Sequence, residues 1–117
     1  MFNKISIIGC GLIGSSILRA IEEKKLAFKI SVYDKSLKVR DYLKKNFSVQ
    51  VCINISDVVK DSDLVIIASP LSSYKEILLS IQSNLKENAI LTDTGSAKKE
   101  VNKIVNNLSL KNINWIA

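Results

Sequence analysis

Gly9-Cys10-Gly11-Leu12-Ile13-Gly14 sets three glycines at the spacing G-x-G-x-x-G, directly after the apolar run Lys4-Ile5-Ser6-Ile7-Ile8. Each glycine in such a turn answers a separate steric demand. Gly9 makes the tight exit from a strand, Gly11 lets main chain come close to a pyrophosphate, and Gly14 lets the following helix pack on the strand. The N–H groups at the helix start, with the positive end of its dipole, would then face the anion. Leu12 and Ile13, the spacers, would flank the same phosphates. No Lys-Ser/Thr pair stands where a triphosphate loop requires one, so a P-loop is disfavoured. The plainer alternative is that the glycines merely permit a tight turn. Cys10 has two readings of its own, a thiol activated by the helix start or an inert small side chain; the second is expected.

Asp34 stands 20 residues beyond Gly14, where the alternation Phe28–Tyr33 ends. An acid there accepts hydrogen bonds from the adenosine ribose hydroxyls and repels a 2′-phosphate, which predicts NAD over NADP. Lys35 would face the same ribose and partly offset that repulsion, which leaves room for NADP. Two more loops are expected at this end of the sheet, because ligands of open sheets lie beyond the carboxyl ends of the strands. Ala68-Ser69-Pro70 either walls the nicotinamide ribose or simply starts the next helix. In Asp93-Thr94-Gly95-Ser96-Ala97-Lys98, Thr94 would face the cofactor, Gly95 permits close passage of main chain, Ser96 offers a hydroxyl and Lys98 a cation. A plain N-cap is the competing reading of Ser96.

These groups need a scaffold, and the apolar periodicity supplies one. Strand-like runs at 4–8, 28–33, 49–53, 64–67, 89–92 and 112–117 alternate with helical patterns. The first helical face is Ile13, Ile17, Ala20 and Ile21. The second, capped by Ser36, is Val39, Tyr42, Leu43 and Phe47. A short turn at 56–59 follows, then Tyr74, Ile77, Leu78, Ile81 and Leu85 after Pro70, and last Ala97, Val101, Ile104, Val105 and Leu108. No hairpin signal appears, and parallel neighbours need crossovers. The prediction is an α/β fold: a doubly wound parallel sheet of about six strands, of the Rossmann type, with helices on both faces.

Composition narrows the function classes. The 117 residues make one domain's worth of chain, 47% apolar and 24% charged, which is globular rather than disordered. No apolar run is long enough to cross a bilayer, no signal peptide is evident, and a cytoplasmic protein without membrane attachment is expected. The net charge of +6 comes mostly from scattered Lys, with Arg19 and Arg40 the only arginines, so no nucleic-acid partner is expected. Cys10 and Cys52 fit no metal spacing, and no metal is expected. There is no His, so an imidazole acid or base must come from outside these residues.

Gly11-Leu12-Ile13-Gly14-Ser15-Ser16 after an apolar strand, with Asp93-Thr94-Gly95-Ser96-Ala97-Lys98 after the fifth strand, resembles the prephenate and arogenate dehydrogenases of tyrosine biosynthesis. Their corresponding loops read G-L-I-G-[GS]-S and D-x-G-S-x-K. The resemblance implies oxidative decarboxylation of prephenate or arogenate, with hydride passing to NAD(P)+. It makes Ser96 the serine beside the substrate's ring hydroxyl, orienting substrate and a catalytic histidine. The family carries that histidine directly after the sixth strand, which puts it beyond Ala117. The resemblance further implies that residues 1–117 are the NAD(P)-binding domain, that the family's helical dimerisation and substrate domain is absent from them, and that the whole enzyme is a homodimer. Two competitors stand beside it. One is the front half of an imino-acid reductase or β-hydroxyacid dehydrogenase, and the other is a nucleotide-sensing module without chemistry.

Overall fold

The computed structural model describes residues 1–94 and 114–116. In chain order the elements are β1 (Phe2–Ile8), α1 (Leu12–Lys24), β2 (Ala27–Tyr33), α2 (Leu37–Asn46), β3 (Gln50–Val51), α3 (Ile55–Val58), β4 (Leu64–Ile67), α4 (Tyr74–Ile81), β5 (Ile90–Asp93) and β6 (Asn114–Trp115). Single 3₁₀ turns, Leu71–Ser73 and Gln82–Asn84, flank α4. The helical pattern expected at 97–108 lies outside the described residues, as do Gly95, Ser96, Lys98 and Ala117.

The strands form one sheet in the order β3-β2-β1-β4-β5-β6, and every pairing is parallel. The chain thus starts in the middle, winds to one edge through β3, and returns to β4 to wind the other way. Where the winding reverses, the connections leaving β1 and β4 run to opposite faces. A crevice opens between them beyond the carboxyl ends of the strands.

Both faces of the sheet are covered, because alternate residues of the central strands point to opposite layers. Ile5, Ile7 and Ile66 pack with Leu18, Ile21 and Leu43 of α1 and α2. Ile8, Val65, Ile67 and Leu91 pack with Val58 of α3 and with Tyr74, Ile77, Leu78 and Ile81 of α4. Ser6, in the same run as these isoleucines, is fully buried on the α3 face. Its hydroxyl meets those of Ser31 and Ser62 around the Val58 carbonyl, to which Ser31 Oγ donates at 2.8 Å. Three hydroxyls so satisfy a carbonyl at the end of α3 that would otherwise be dry.

Three expectations from the sequence are corrected. The buried face of α1 is Gly14, Leu18 and Ile21, one residue round from the predicted stripe, and Ile13 is exposed. Apolar periodicity cannot count a glycine, yet Gly14 marks the closest contact with the sheet. β3 shrinks from the expected 49–53 to Gln50–Val51, with Ile53 left in solvent. The sixth strand, expected to run on to Ala117, already ends at Trp115. Ile116 is half exposed beyond that end, although its N–H still donates to the Leu91 carbonyl at 2.8 Å. Both shortened strands close an edge of the sheet. A strand with a neighbour on one side only has its length set by the backbone pairing available and not by its side chains. Among the described residues no helix is long and apolar enough to cross a membrane.

Candidate functional site

At the reversal point lies a cleft of about 850 Å³ across the carboxyl ends of β1, β2, β4 and β5. Gly9 and Gly11 form its floor with Leu12 and Ile13, Asp34 and Lys35 one end, and Ala68, Ser69, Pro70 and Thr94 the other side. Ten of the residues singled out in the sequence as cofactor contacts therefore share one wall system, although they come from four separate loops.

The glycine turn has the shape its spacing predicts. Gly9 has φ of +86°, and a Cβ there would lie 2.4 Å from Ser69 Oγ and 3.0 Å from the Ala68 main chain. Its N–H donates to the Tyr33 carbonyl at 2.7 Å, which pins the turn to β2. A Cβ on Gly14 would come within 2.3 Å of the Gly9 carbonyl oxygen. Gly14 is therefore buried beneath the turn and does not line the cleft; what the structure shows for it is close packing. Gly11 is the reverse case. It occupies the N-cap position of α1, and a Cβ there meets no protein atom within 4 Å. The space beside it belongs to the cleft. The first turn of α1 carries no acidic residue and no side-chain cap, so its N–H groups and dipole are available to an anion. This is a cradle that a single methyl would fill, and it fits a pyrophosphate.

Asp34 is fixed from both sides. Its Oδ2 accepts from the Cys10 N–H at 2.9 Å and its Oδ1 from the Ser36 N–H at 2.9 Å. Arg40 Nη1 donates to the Asp34 carbonyl at 2.8 Å, and Ser36 Oγ accepts from the Val39 N–H to cap α2. Each carboxylate oxygen has a second lone pair, so the group still accepts from a ligand while its orientation is held.

Ser69 departs from its reading as a plain helix start. Its hydroxyl donates to the Ile8 carbonyl at 3.3 Å under the glycine turn, and Pro70 leads into the 3₁₀ turn without a side-chain cap. Thr94 continues the β4–β5 ladder, its N–H donating to the Ile67 carbonyl at 3.1 Å. Ser96, the expected substrate-side serine, lies outside the described residues. So does Ala117. Sequence reasoning missed Tyr74 as a cleft residue, counting it only on the apolar face of α4. The available signal is its place one turn after Pro70, at the carboxyl end of β4.

Cys10 is inert. It is 2% exposed, and burial, with the Asp34 carboxylate adding to it, pushes its thiol up to about 12. The helix start does not activate it because the side chain packs in the core with Leu18 and Ile21 of α1. Iodoacetamide at pH 8 is expected to leave Cys10 unmodified in the folded chain and to alkylate it once urea unfolds the protein, as mass spectrometry would read directly. The unfolded thiol loses its proton near the ordinary value of about 8.5, while the folded one keeps it. Stability therefore falls as pH rises from there toward 12, and Cys10→Ala should flatten part of that fall.

Comparison with known proteins gives a consistent picture. The model of the family described as "NADP oxidoreductase coenzyme F420-dependent" matches residues 4–96. The cyclohexadienyl dehydrogenase of Zymomonas mobilis is 38% identical over 88% of this chain and 36% of its own length. The prephenate dehydrogenase of Lactococcus lactis is 34% identical over 90% of this chain and 30% of its own. An L-aspartate dehydrogenase of Methanocaldococcus jannaschii is 33% identical over 84% of this chain and 38% of its own. The chain thus spans about a third of the length of these relatives. Among solved structures, A. aeolicus prephenate dehydrogenase in complex with hydroxyphenyl propionate and NAD+ superposes with a TM-score of 0.75. It is 21% identical, covering 97% of this chain and 40% of that one. The fold is the pyridine-nucleotide-binding one.

Proposed function

The chain belongs to the NADP oxidoreductase coenzyme F420-dependent family, and from that membership we propose that it is the nucleotide-binding domain of a prephenate or arogenate dehydrogenase that prefers NAD+. The observation that carries this reading is Asp34, an acid held at the end of β2 on the rim of the same cleft as the Gly11 cradle. The relatives named cyclohexadienyl and prephenate dehydrogenase support the substrate class, together with the Asp93–Lys98 sequence. Activity, substrate and the homodimer belong in this proposal to the whole protein that carries these residues.

Gly9, Gly11 and the first turn of α1 receive the pyrophosphate, and Leu12 and Ile13 shield it from water. Asp34 accepts from the adenosine ribose, with Lys35 beside it. Ala68, Ser69, Pro70 and Thr94 bound the nicotinamide end. When bound, NAD+ supplies a hydride acceptor at its nicotinamide ring. Ser96 is assigned to the substrate side of that ring, orienting the ring hydroxyl for an imidazole base supplied from outside these residues. The overall conversion is oxidative decarboxylation: the substrate ring loses a hydride and carbon dioxide and becomes aromatic.

Residues 1–117 contain no His, and a general base contributes about 10² to 10⁴ in rate. The purified chain is accordingly expected to bind NAD+ and to form no detectable NADH with prephenate; prephenate-dependent absorbance growth at 340 nm from this chain would refute the need for an imidazole from outside these residues. A second reading, oxidation of an amino acid, is favoured by the L-aspartate dehydrogenase relative. Assays of the natural gene product with prephenate, arogenate and L-aspartate separate the two.

A further inference from the structure

Asp93 is the last residue of β5 and Tyr74 the first of α4. Both side chains are more than nine-tenths buried, and the Tyr74 hydroxyl donates to Asp93 Oδ2 at 3.0 Å. We propose that this pair is a positioning device for the nicotinamide end of the cleft, a role that rests on the nucleotide-binding reading above. Tyr74 lines the cleft, and it closes the Ser69–Ser73 connection out of β4. Asp93 directly precedes Thr94, the cleft residue at the end of β5. The phenol–carboxylate bond therefore joins the two wall segments that neighbouring strands contribute to one side of the site.

Three features favour a positioning role over simple packing. Tyr74 belongs to the apolar cluster of Ile67, Leu78 and Leu91, and a buried carboxylate beside it is costly unless hydrogen-bonded, so an apolar residue would serve packing better. A side-chain hydrogen bond is directional and is stronger in a dry setting than in water, which suits this one to holding geometry. The topology also places the pair far from the ribose-binding acid. With β1 and β4 between them, β2 and β5 are three strand spacings apart, about 14 Å. Loosening the pair should be felt by the nicotinamide half of a dinucleotide and not by the adenosine half.

The test is calorimetric titration of the 117-residue chain with NAD+ and with ADP-ribose, which lacks only the nicotinamide. Tyr74→Phe, which removes one oxygen, is expected to weaken NAD+ binding about tenfold while leaving ADP-ribose within about twofold. Asp93→Leu should behave in the same way. Asp93→Asn, whose amide oxygen still accepts from the phenol, should retain NAD+ affinity. If both ligands weaken together, or neither weakens while the melting temperature falls, the pair is only a brace for the fold and the proposal is overturned. If the unmutated chain binds neither ligand, it is the nucleotide-binding reading that has failed, and this proposal with it.

Discussion

Gly14→Ala is expected to abolish measurable NAD+ binding and to destabilise the fold, although residue 14 does not line the cleft. The added Cβ would lie 2.3 Å from the Gly9 carbonyl oxygen and 3.2 Å from its carbon. Both are main-chain atoms, so no flexible side chain can swing aside. The strain must be relieved by moving α1 off β1 or by opening the Gly9 turn. Gly9 cannot yield easily, because its positive φ, its bond to Tyr33 and its contacts with Ala68 and Ser69 already fix it. Overpacking of this kind typically costs about 1–3 kcal/mol. The loss of affinity should be larger. If two N–H bonds to the pyrophosphate go out of line, at about 1.5–3 kcal/mol each for a charged acceptor, binding falls by at least roughly 100-fold. Gly11→Ala is the control. Its Cβ meets no protein atom within 4 Å, so its melting temperature should stay near that of the parent while NAD+ affinity drops through direct occlusion. Equal melting temperatures for the two variants in a thermal scan would contradict this account of the turn.

Asp34→Asn should cost nucleotide affinity and remove its selectivity. The unmutated chain is expected to bind NAD+ at least about tenfold more tightly than NADP+, because the 2′-phosphate would face a fixed carboxylate. Both oxygens of that carboxylate accept main-chain N–H groups, one from the glycine turn and one from the start of α2. An amide offers one oxygen and one NH₂, so one of those N–H groups is left facing a donor. The resulting local cost is about 1–3 kcal/mol. NAD+ affinity falls for two reasons, a weaker acceptor for the ribose and a loosened rim. NADP+ loses its repulsion, and with Lys35 in the cleft wall and Arg40 bonded to the residue 34 carbonyl it should gain relative to NAD+. Competitive titration with the two dinucleotides reads the ratio. An unchanged preference would remove Asp34 from the selectivity argument altogether.

Much of the site is legible without coordinates because its determinants are local. Three glycines at fixed spacing between an apolar run and a helical pattern constrain only a dozen or so residues, and Asp34 closes the same βαβ unit. β4 is read to the residue, since consecutive apolar positions are needed wherever a strand is covered on both faces. The departures share a cause. Periodicity misplaces the α1 face by one residue because a buried glycine adds nothing to an apolar count. It draws β3 too long, and β6 as far as Ala117, because propensity does not reveal that a strand lies at an edge. Asp93 reads as a loop residue and instead ends β5, because its backbone still pairs in register with Ile67 of β4, a partner 26 residues away.

Residue types and spacing alone determined the alternating scaffold, the phosphate-binding turn and the acid that follows it, since each depends on contacts within a few positions or within one crossover. Tertiary structure decided the rest: which residues of the turn face the cleft and which lie beneath it, that Ser69 serves the Ile8 carbonyl and not a helix start, and that Tyr74 meets Asp93. Those outcomes depend on how closely α1, α4 and the sheet approach one another, a distance set by side-chain volumes from distant parts of the chain.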